Sequence, residues 1–120
     1  MKRPEFVINF ERLEGVPMIK VKLGEQTGYL ELDTSSKECF LSEEFFKAHG
    51  NEDVLLPCEE SEVGKTIGII TIRDYDFKVP MIVKKLHNPS IVGILGSNFF
   101  HRWKMILDFD AEMLYSYHIE

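Results

Sequence analysis

The strongest constraint on the fold is the repeated alternation of apolar and polar residues. Apolar side chains occupy every second position in three separate runs, at residues 6–10, 19–23 and 77–83. A period of two is typical of β-strands that bury one face and expose the other. Turn-forming residues separate such runs, as at residues 24–28 and 74–76. Together with shorter β-rich stretches, the pattern predicts a mainly-β chain of about nine strands.

Length and composition indicate one folded domain and argue against two classes of partner. The chain has 120 residues, of which 44% are hydrophobic, and we expect a single domain over residues 1–120. The net charge of −6 comes without a basic patch, which argues against nucleic-acid binding. No apolar run approaches the roughly 20 residues of a membrane-spanning helix. We therefore expect neither a nucleic-acid partner nor a membrane partner.

The N-terminus and the cysteines bear on the cellular compartment. Residues 1–5 carry charge but lead into no apolar segment of the kind found in a signal peptide. The expected location is cytoplasmic if the sequence is complete, and periplasmic or secreted if it was cut from a precursor. Cys39 and Cys58 form no CxxC pair, so both two thiols and one disulfide remain open.

Two short segments have the signals of helices. In residues 42–50, Ser42 can cap the first N–H groups, and Gly50 can end the helix in the left-handed conformation. Two adjacent phenylalanines give this helix an apolar side to bury. Near the C-terminus, Ser97 can cap a second helix over residues 98–103. The sequence therefore predicts two short helices among the strands.

Residues 30–36, Leu-Glu-Leu-Asp-Thr-Ser-Ser, place a carboxylate at the end of a strand. Leu30 and Leu32 share one face of that strand, and Asp33 follows them directly. Asp and Ser favour turns because they bond to nearby backbone, so the segment can be a plain turn. A carboxylate on a rigid scaffold and at its edge is also a common arrangement for chemistry. On these residues alone, both interpretations stay open.

A second stretch, Ile94-Leu95-Gly96-Ser97-Asn98-Phe99-Phe100, joins the first to give a family resemblance. The Asp33 segment resembles the hydrophobic-hydrophobic-Asp-Thr-Gly-Ala/Ser signature of retropepsin-like aspartic proteases. The later stretch resembles their Ile-Leu-Gly-x-x-Phe/Leu segment, and 63 positions separate Asp33 from Gly96. The helix over residues 42–49 and the tail over 103–115 are also similar to the bacterial and cellular single-domain branch. The resemblance covers roughly residues 15–118.

The resemblance implies a fold, an activity and a partner. The fold is an acid-protease-like β-barrel, closed or partly open, with two short helices. The activity is aspartic endopeptidase chemistry, in which two carboxylates share one proton and activate water to hydrolyse a peptide bond. The other aspartates lack the Asp-Thr context: Asp53, Asp74, Asp76, Asp108 and Asp110. The dyad then requires a homodimer with one Asp33 per subunit, acting on a peptide or protein substrate without a cofactor or metal.

Specific residues receive roles from the same resemblance. Asp33 is the catalytic carboxylate, and the Thr34 hydroxyl would bond across the paired turns, although an ordinary turn residue would look the same. Ile94 and Gly96 line the substrate side, and Gly96 allows close backbone approach. A flap covering the substrate is expected in residues 63–69, where two glycines can hinge or tip a hairpin, although an ordinary strand fits equally well. Its substrate-binding residues would be Gly64, Thr66, Ile67 and Gly68.

Ser35 departs from the family pattern, which has glycine at this position. A serine adds a Cβ and a hydroxyl, and a positive φ there would cost on the order of 1–3 kcal/mol. Ser35 therefore belongs with the catalytic segment but favours an alternative: a weak or inactive protease-fold domain that binds peptides or mediates assembly. Nucleophile chemistry has little support, because the sequence has no GxSxG motif. Metal chemistry has little support either, because metal-ligand spacing is absent around the four histidines: His49, His87, His101 and His118.

Overall fold

The computed structural model describes residues 3–51 and 54–117, so Asp53 and His118 lie outside the described residues. The described part contains two helices, α1 (Glu43–His49) and α2 (Ser97–Arg102). Neither helix is long and apolar enough to cross a membrane. The strands of the same part are β1 (Phe6–Asn9), β2 (Glu11–Leu13), β3 (Val16–Leu23), β4 (Gln26–Leu32), β5 (Phe40–Ser42), β6 (Leu56–Cys58), β7 (Ser61–Ile72), β8 (Tyr75–Lys84), β9 (Gly93–Leu95), β10 (Ile106–Asp108) and β11 (Met113–Ser116).

These strands form a large sheet and a small one. The large sheet has the order β2-β3-β4-β9-β5-β8-β7-β6, and an additional pairing of β3 with β7 closes six of its strands into a ring. The small sheet has the order β1-β11-β10. The prediction of a mainly-β fold with two short helices is confirmed. The described part has more strands than the nine expected, because strands as short as β2 and β6 lack a full alternating pattern.

The alternating strands bury one face inside the ring. On β8 four alternating side chains are 2% exposed or less and face the core: Phe77, Val79, Met81 and Val83. Ile82, on the other face of β8, is also buried. The alternate residues Lys78 and Pro80 point outward and are exposed. Leu30 and Leu32 of β4 are buried in the same core. The period of two in the sequence thus places the core correctly, because alternate side chains of a strand face opposite sides of a sheet.

The two helices begin and end differently from the sequence predictions. Ser42 caps α1 as expected, since its hydroxyl accepts the Phe45 N–H at 3.2 Å. The left-handed stop at Gly50 is wrong: its φ is −87° and its ψ 171°. Glycine is needed there for space, because a Cβ would lie 2.3 Å from the Phe46 ring. Ser97 is also not a cap, since α2 starts at Ser97 and its N-cap is Gly96, without a side-chain bond.

The acidic run over residues 59–62 belongs to the hairpin between β6 and β7. Glu59 and Glu60 form the turn between β6 and β7, and β7 already begins at Ser61. Ser61 anchors this start because its hydroxyl donates to the Val83 carbonyl of β8. The same oxygen accepts the Gly64 N–H at 3.0 Å. These bonds fix Ser61 at the start of β7, while the glutamates of the run, Glu59, Glu60 and Glu62, are exposed.

Candidate active site

Asp33 is held at the end of β4 by parallel pairing with β9. Leu30 pairs with Gly93 and Leu32 with Leu95, and the Asp33 N–H extends the ladder by donating to the Leu95 carbonyl at 3.0 Å. Leu30 and Leu95 are fully buried. The carboxylate of the half-buried Asp33 therefore projects from a backbone that is anchored on the core, as a catalytic group requires.

A tight turn follows, and Ser35 bonds directly to the carboxylate. The Ser36 N–H donates to the Asp33 carbonyl at 3.3 Å, which closes the turn over residues 33–36. The Ser35 N–H donates to Asp33 Oδ1 at 3.0 Å, and the Ser35 hydroxyl donates to the same oxygen at 2.6 Å. Asp33 Oδ2 has no hydrogen-bond partner within residues 3–51 and 54–117. Ser35 thus orients the carboxylate and leaves one of its oxygens open.

The backbone of Ser35 is not strained. The described non-glycine residues with a positive φ lie elsewhere in the chain: Glu14, Arg73, Lys104 and Glu112. The energetic objection to serine at this position, which depended on a left-handed backbone, therefore does not apply. What distinguishes Ser35 from glycine is its hydroxyl, which engages the carboxylate.

Thr34 and Ser35 are exposed on the surface of the chain. In the described part of the chain, the Thr34 hydroxyl has no hydrogen-bond partner. A Thr hydroxyl can donate one hydrogen bond and accept others. It is therefore free to bond to a group outside the chain, and its predicted role across two paired turns remains a prediction.

Gly96 lets the end of β9 pack directly against the Asp33 turn. A Cβ at this position would lie 2.2 Å from the Glu38 carbonyl oxygen and 2.6 Å from that of Ser36. The next two N–H groups complete the contact: Ser97 donates to the Ser36 carbonyl at 2.7 Å and Asn98 to that of Lys37 at 3.0 Å. Only glycine fits so close an approach. The first residues of α2 thus hold the backbone of the Asp33 turn through two hydrogen bonds.

Cys39 is a member of this site that sequence reasoning missed. Its buried thiol accepts the Gly96 N–H at 3.3 Å, and burial raises the pKa of Cys39. The spacing of the two cysteines carries no information about Gly96, so no signal in the sequence pointed to this contact.

Glu31 on β4 is affected by the site too: burial, and then the charge of Asp33, raise the pKa of Glu31.

Ile94 lies beside the turn, whereas the expected flap residues lie elsewhere. Ile94 pairs with Glu31 of β4 and with Phe40 of β5. The flap residues are in the interior of β7, paired with β8 from Gly64 to Gly68, and β7 does not pair with β4, because β3 lies between them in the ring. The idea that these glycines tip a hairpin is wrong, because the neighbouring hairpin turns at residues 59–60. Contact of these residues with substrate remains a prediction: Gly64, Thr66, Ile67 and Gly68.

The other described aspartates for which a contact is resolved serve local structure. Asp76 accepts the Thr71 hydroxyl at 2.6 Å, and Asp108 accepts the Ala111 N–H at 3.0 Å. Among residues 3–51 and 54–117 there is also no group of three or more His, Cys, Asp or Glu side chains that could hold a metal ion. Asp33 is therefore the carboxylate around which a hydrolytic site can be argued.

Comparisons with known proteins address the fold. No protein-family model matches the chain, and no curated protein matches it. A retropepsin-like aspartic protease from Rickettsia conorii superposes with a TM-score of 0.68 at 20% identity, covering 92% of this chain and 91% of that one. The retroviral protease-like domain of Ddi1 from Leishmania major gives 0.67 at 9% identity, covering 79% and 81%. The chain thus has a retropepsin-like fold, as its two motifs predicted.

Proposed function

We propose that the chain is an aspartic endopeptidase that works as a homodimer with one Asp33 from each subunit. The observation that carries the proposal is the turn itself. Asp33 is attached to the core through β4 and held by the backbone of β9 and α2. Its Oδ2 has no partner among the described residues. This is the placement that a water-activating carboxylate needs.

The chemistry requires two such carboxylates. Two like charges a few ångströms apart cannot both ionise easily, so the pair shares one proton and titrates as a unit. The ionised carboxylate takes a proton from water, and the resulting nucleophile attacks the peptide carbonyl. The protonated carboxylate donates to the carbonyl oxygen. A peptide bound in extended form would pair with strand edges through its backbone.

A free strand edge supports the required dimer. Within the described residues β10 pairs with β11 on one side and has no strand on the other. The side chains of Ile106 and Phe109 next to this edge are 43% and 42% exposed. An unpaired edge with apolar side chains is a template for another strand. A two-fold axis through β10 would join two small sheets into one.

One observation favours a second candidate, a protease-fold domain without catalytic activity that binds peptides or serves assembly. The Ser35 hydroxyl donates to Asp33 Oδ1 at 2.6 Å. A glycine at this position has no hydroxyl, so this hydrogen bond would be absent. A hydroxyl so close to the carboxylate competes with water or substrate for this oxygen. The turn geometry is the same for both candidates, and they differ in turnover.

The test compares cleavage by two aspartate variants. The protein is incubated with a diverse peptide mixture from pH 3 to 7, with and without pepstatin, and cleavage is followed by mass spectrometry. We expect cleavage that Asp33→Asn abolishes and that Asp74→Asn, a change at an exposed turn carboxylate, leaves intact. Sedimentation reports the dimer in parallel. A confirmed dimer that cleaves nothing would refute the endopeptidase and leave the binding domain.

A further inference from the structure

The outer surface carries a groove between α2 and β8, which we call the α2–β8 groove. Two adjoining cavities share the same five lining residues, and the larger has a volume of about 620 Å³. Asp33, Thr34 and Ser35 do not line either cavity. The shared residues are Lys78, Pro80, Asn98, Arg102 and Trp103. The groove thus adjoins the candidate site through Cys39 and Asn98, but the catalytic segment itself does not line it.

The apolar part of the groove is rigid. The half-buried Trp103 packs edge-on against the ring of Phe77, with 5.0 Å between the centroids. Phe77 is fully buried in the core. Pro80, on the outward face of β8, also lines both cavities. A fixed indole beside a proline offers an apolar surface on which a ligand side chain can pack without ordering the protein first.

Cations surround this apolar surface. Lys65, Lys78 and Arg102 line the groove, and among the described residues none of them forms an ion pair. The guanidinium of Arg102 lies 4.3 Å from the Trp103 ring centroid. Two acids, Glu38 and Asp76, also line the groove, so its three cations exceed its carboxylates by one. On a chain with a net charge of −6, the groove is therefore a surface of opposite sign to the chain as a whole.

We propose that the α2–β8 groove binds an acidic peptide segment, with an apolar side chain against Trp103 and Pro80 and carboxylates on Lys78 and Arg102. Acidic motifs are recognised by clustered cations, since charge-assisted hydrogen bonds to their carboxylates orient the peptide, and here one arginine and two lysines lie together. A nucleic acid fits less well, because three cations neutralise few phosphates and the rest of the acidic chain repels a polyanion. Binding here does not depend on catalysis at Asp33.

The test uses fluorescence anisotropy on the Asp33→Asn protein, so that cleavage cannot interfere. The probe is a short labelled peptide in which Glu alternates with Leu, and the comparison peptide has Gln in place of Glu. We expect the Glu peptide to bind and the Gln peptide to bind much more weakly. The double variant Lys78→Gln/Arg102→Gln should weaken binding of the Glu peptide by about fivefold, as for the loss of two surface ion pairs.

The matched control is Lys20→Gln/Lys22→Gln, which removes the same charge from exposed positions on β3. This control should bind the Glu peptide as the parent does, and urea unfolding should verify that both double variants are folded. Equal binding of the Glu and Gln peptides would overturn the proposal. So would equal weakening by the two double variants, because binding would then follow total charge and not the groove.

Discussion

Replacing Gly96 with alanine tests whether the contact between β9 and the Asp33 turn is as close as it must be for the site to form. The new Cβ would lie 2.2 Å from the Glu38 carbonyl oxygen and 2.6 Å from that of Ser36. Both obstacles are backbone atoms, so no side-chain rotation relieves the overlap. Ordinary contact requires the two segments to separate by about 1 Å.

Such a separation acts on the bonds that cross the contact. Three backbone hydrogen bonds link the turn to β9 and α2: Asp33 N–H to Leu95 at 3.0 Å, Ser97 N–H to Ser36 at 2.7 Å and Asn98 N–H to Lys37 at 3.0 Å. Each contributes about 1 kcal/mol net. We therefore expect Gly96→Ala to lower the free energy of unfolding by about 3 kcal/mol.

The matched control is Gly24→Ala, in the hairpin turn between β3 and β4. Gly24 has a φ of +62°, and a Cβ added there would meet no atom within 4 Å, so alanine costs only the left-handed backbone, about 1 kcal/mol. Equilibrium urea unfolding measures both variants, and amide exchange at Ser97 should accelerate in Gly96→Ala alone. If Gly96→Ala loses no more stability than Gly24→Ala, the close approach at Gly96 does not hold the turn in place.

Three further predictions concern the residues around the turn. Ser35→Ala removes the 2.6 Å hydroxyl bond but keeps the Ser35 N–H bond to Asp33, so the pH profile of peptide cleavage should shift; an unchanged profile would mean that the hydroxyl takes no part. Because burial and the charge of Asp33 raise the pKa of Glu31, the folded state retains that proton more strongly than the unfolded state. The contribution of Glu31 to stability is therefore fully present below its unfolded pKa and is lost as the pH rises through its folded pKa; Glu31→Gln should flatten this decline in urea titrations, and a slope like that of the parent would contradict the reasoning. Because burial raises the pKa of Cys39 and leaves its side chain 2% exposed, iodoacetamide should label the half-buried Cys58 first and Cys39 only after unfolding; equal native rates would refute this.

The parts of the site that the sequence predicted depend on local pattern. The alternation of Leu30 and Leu32 indicates which face of β4 is buried. Asp33 follows the last of these leucines, so the sequence also indicates that its carboxylate lies at the end of the strand. Glycine at position 96, after two apolar residues, indicates close backbone approach without reference to the rest of the chain. Both inferences concern neighbours in sequence, for which periodicity and residue type are direct physical signals.

The parts that the sequence did not predict depend on contacts between distant segments. The Cys39 thiol meets Gly96 only because β5 pairs with β9. The hairpin between β6 and β7 turns at residues 59–60, next to the bond from Ser61 to Val83 of another strand, and no residue pattern near Gly64 or Gly68 indicates this. Gly50 shows the same limit, since its need for space comes from the Phe46 ring.

The parallel pairing of β4 with β9 has a consequence for when the site forms during synthesis. Asp33 receives its backbone support from residues 95–98, so most of the chain must leave the ribosome before the turn can be fixed. Pairings this distant in sequence form late, after the local hairpins such as β3–β4 and β7–β8. An emerging chain therefore lacks a supported carboxylate until synthesis has passed these residues. The order of the strands along the chain itself delays the assembly of the site.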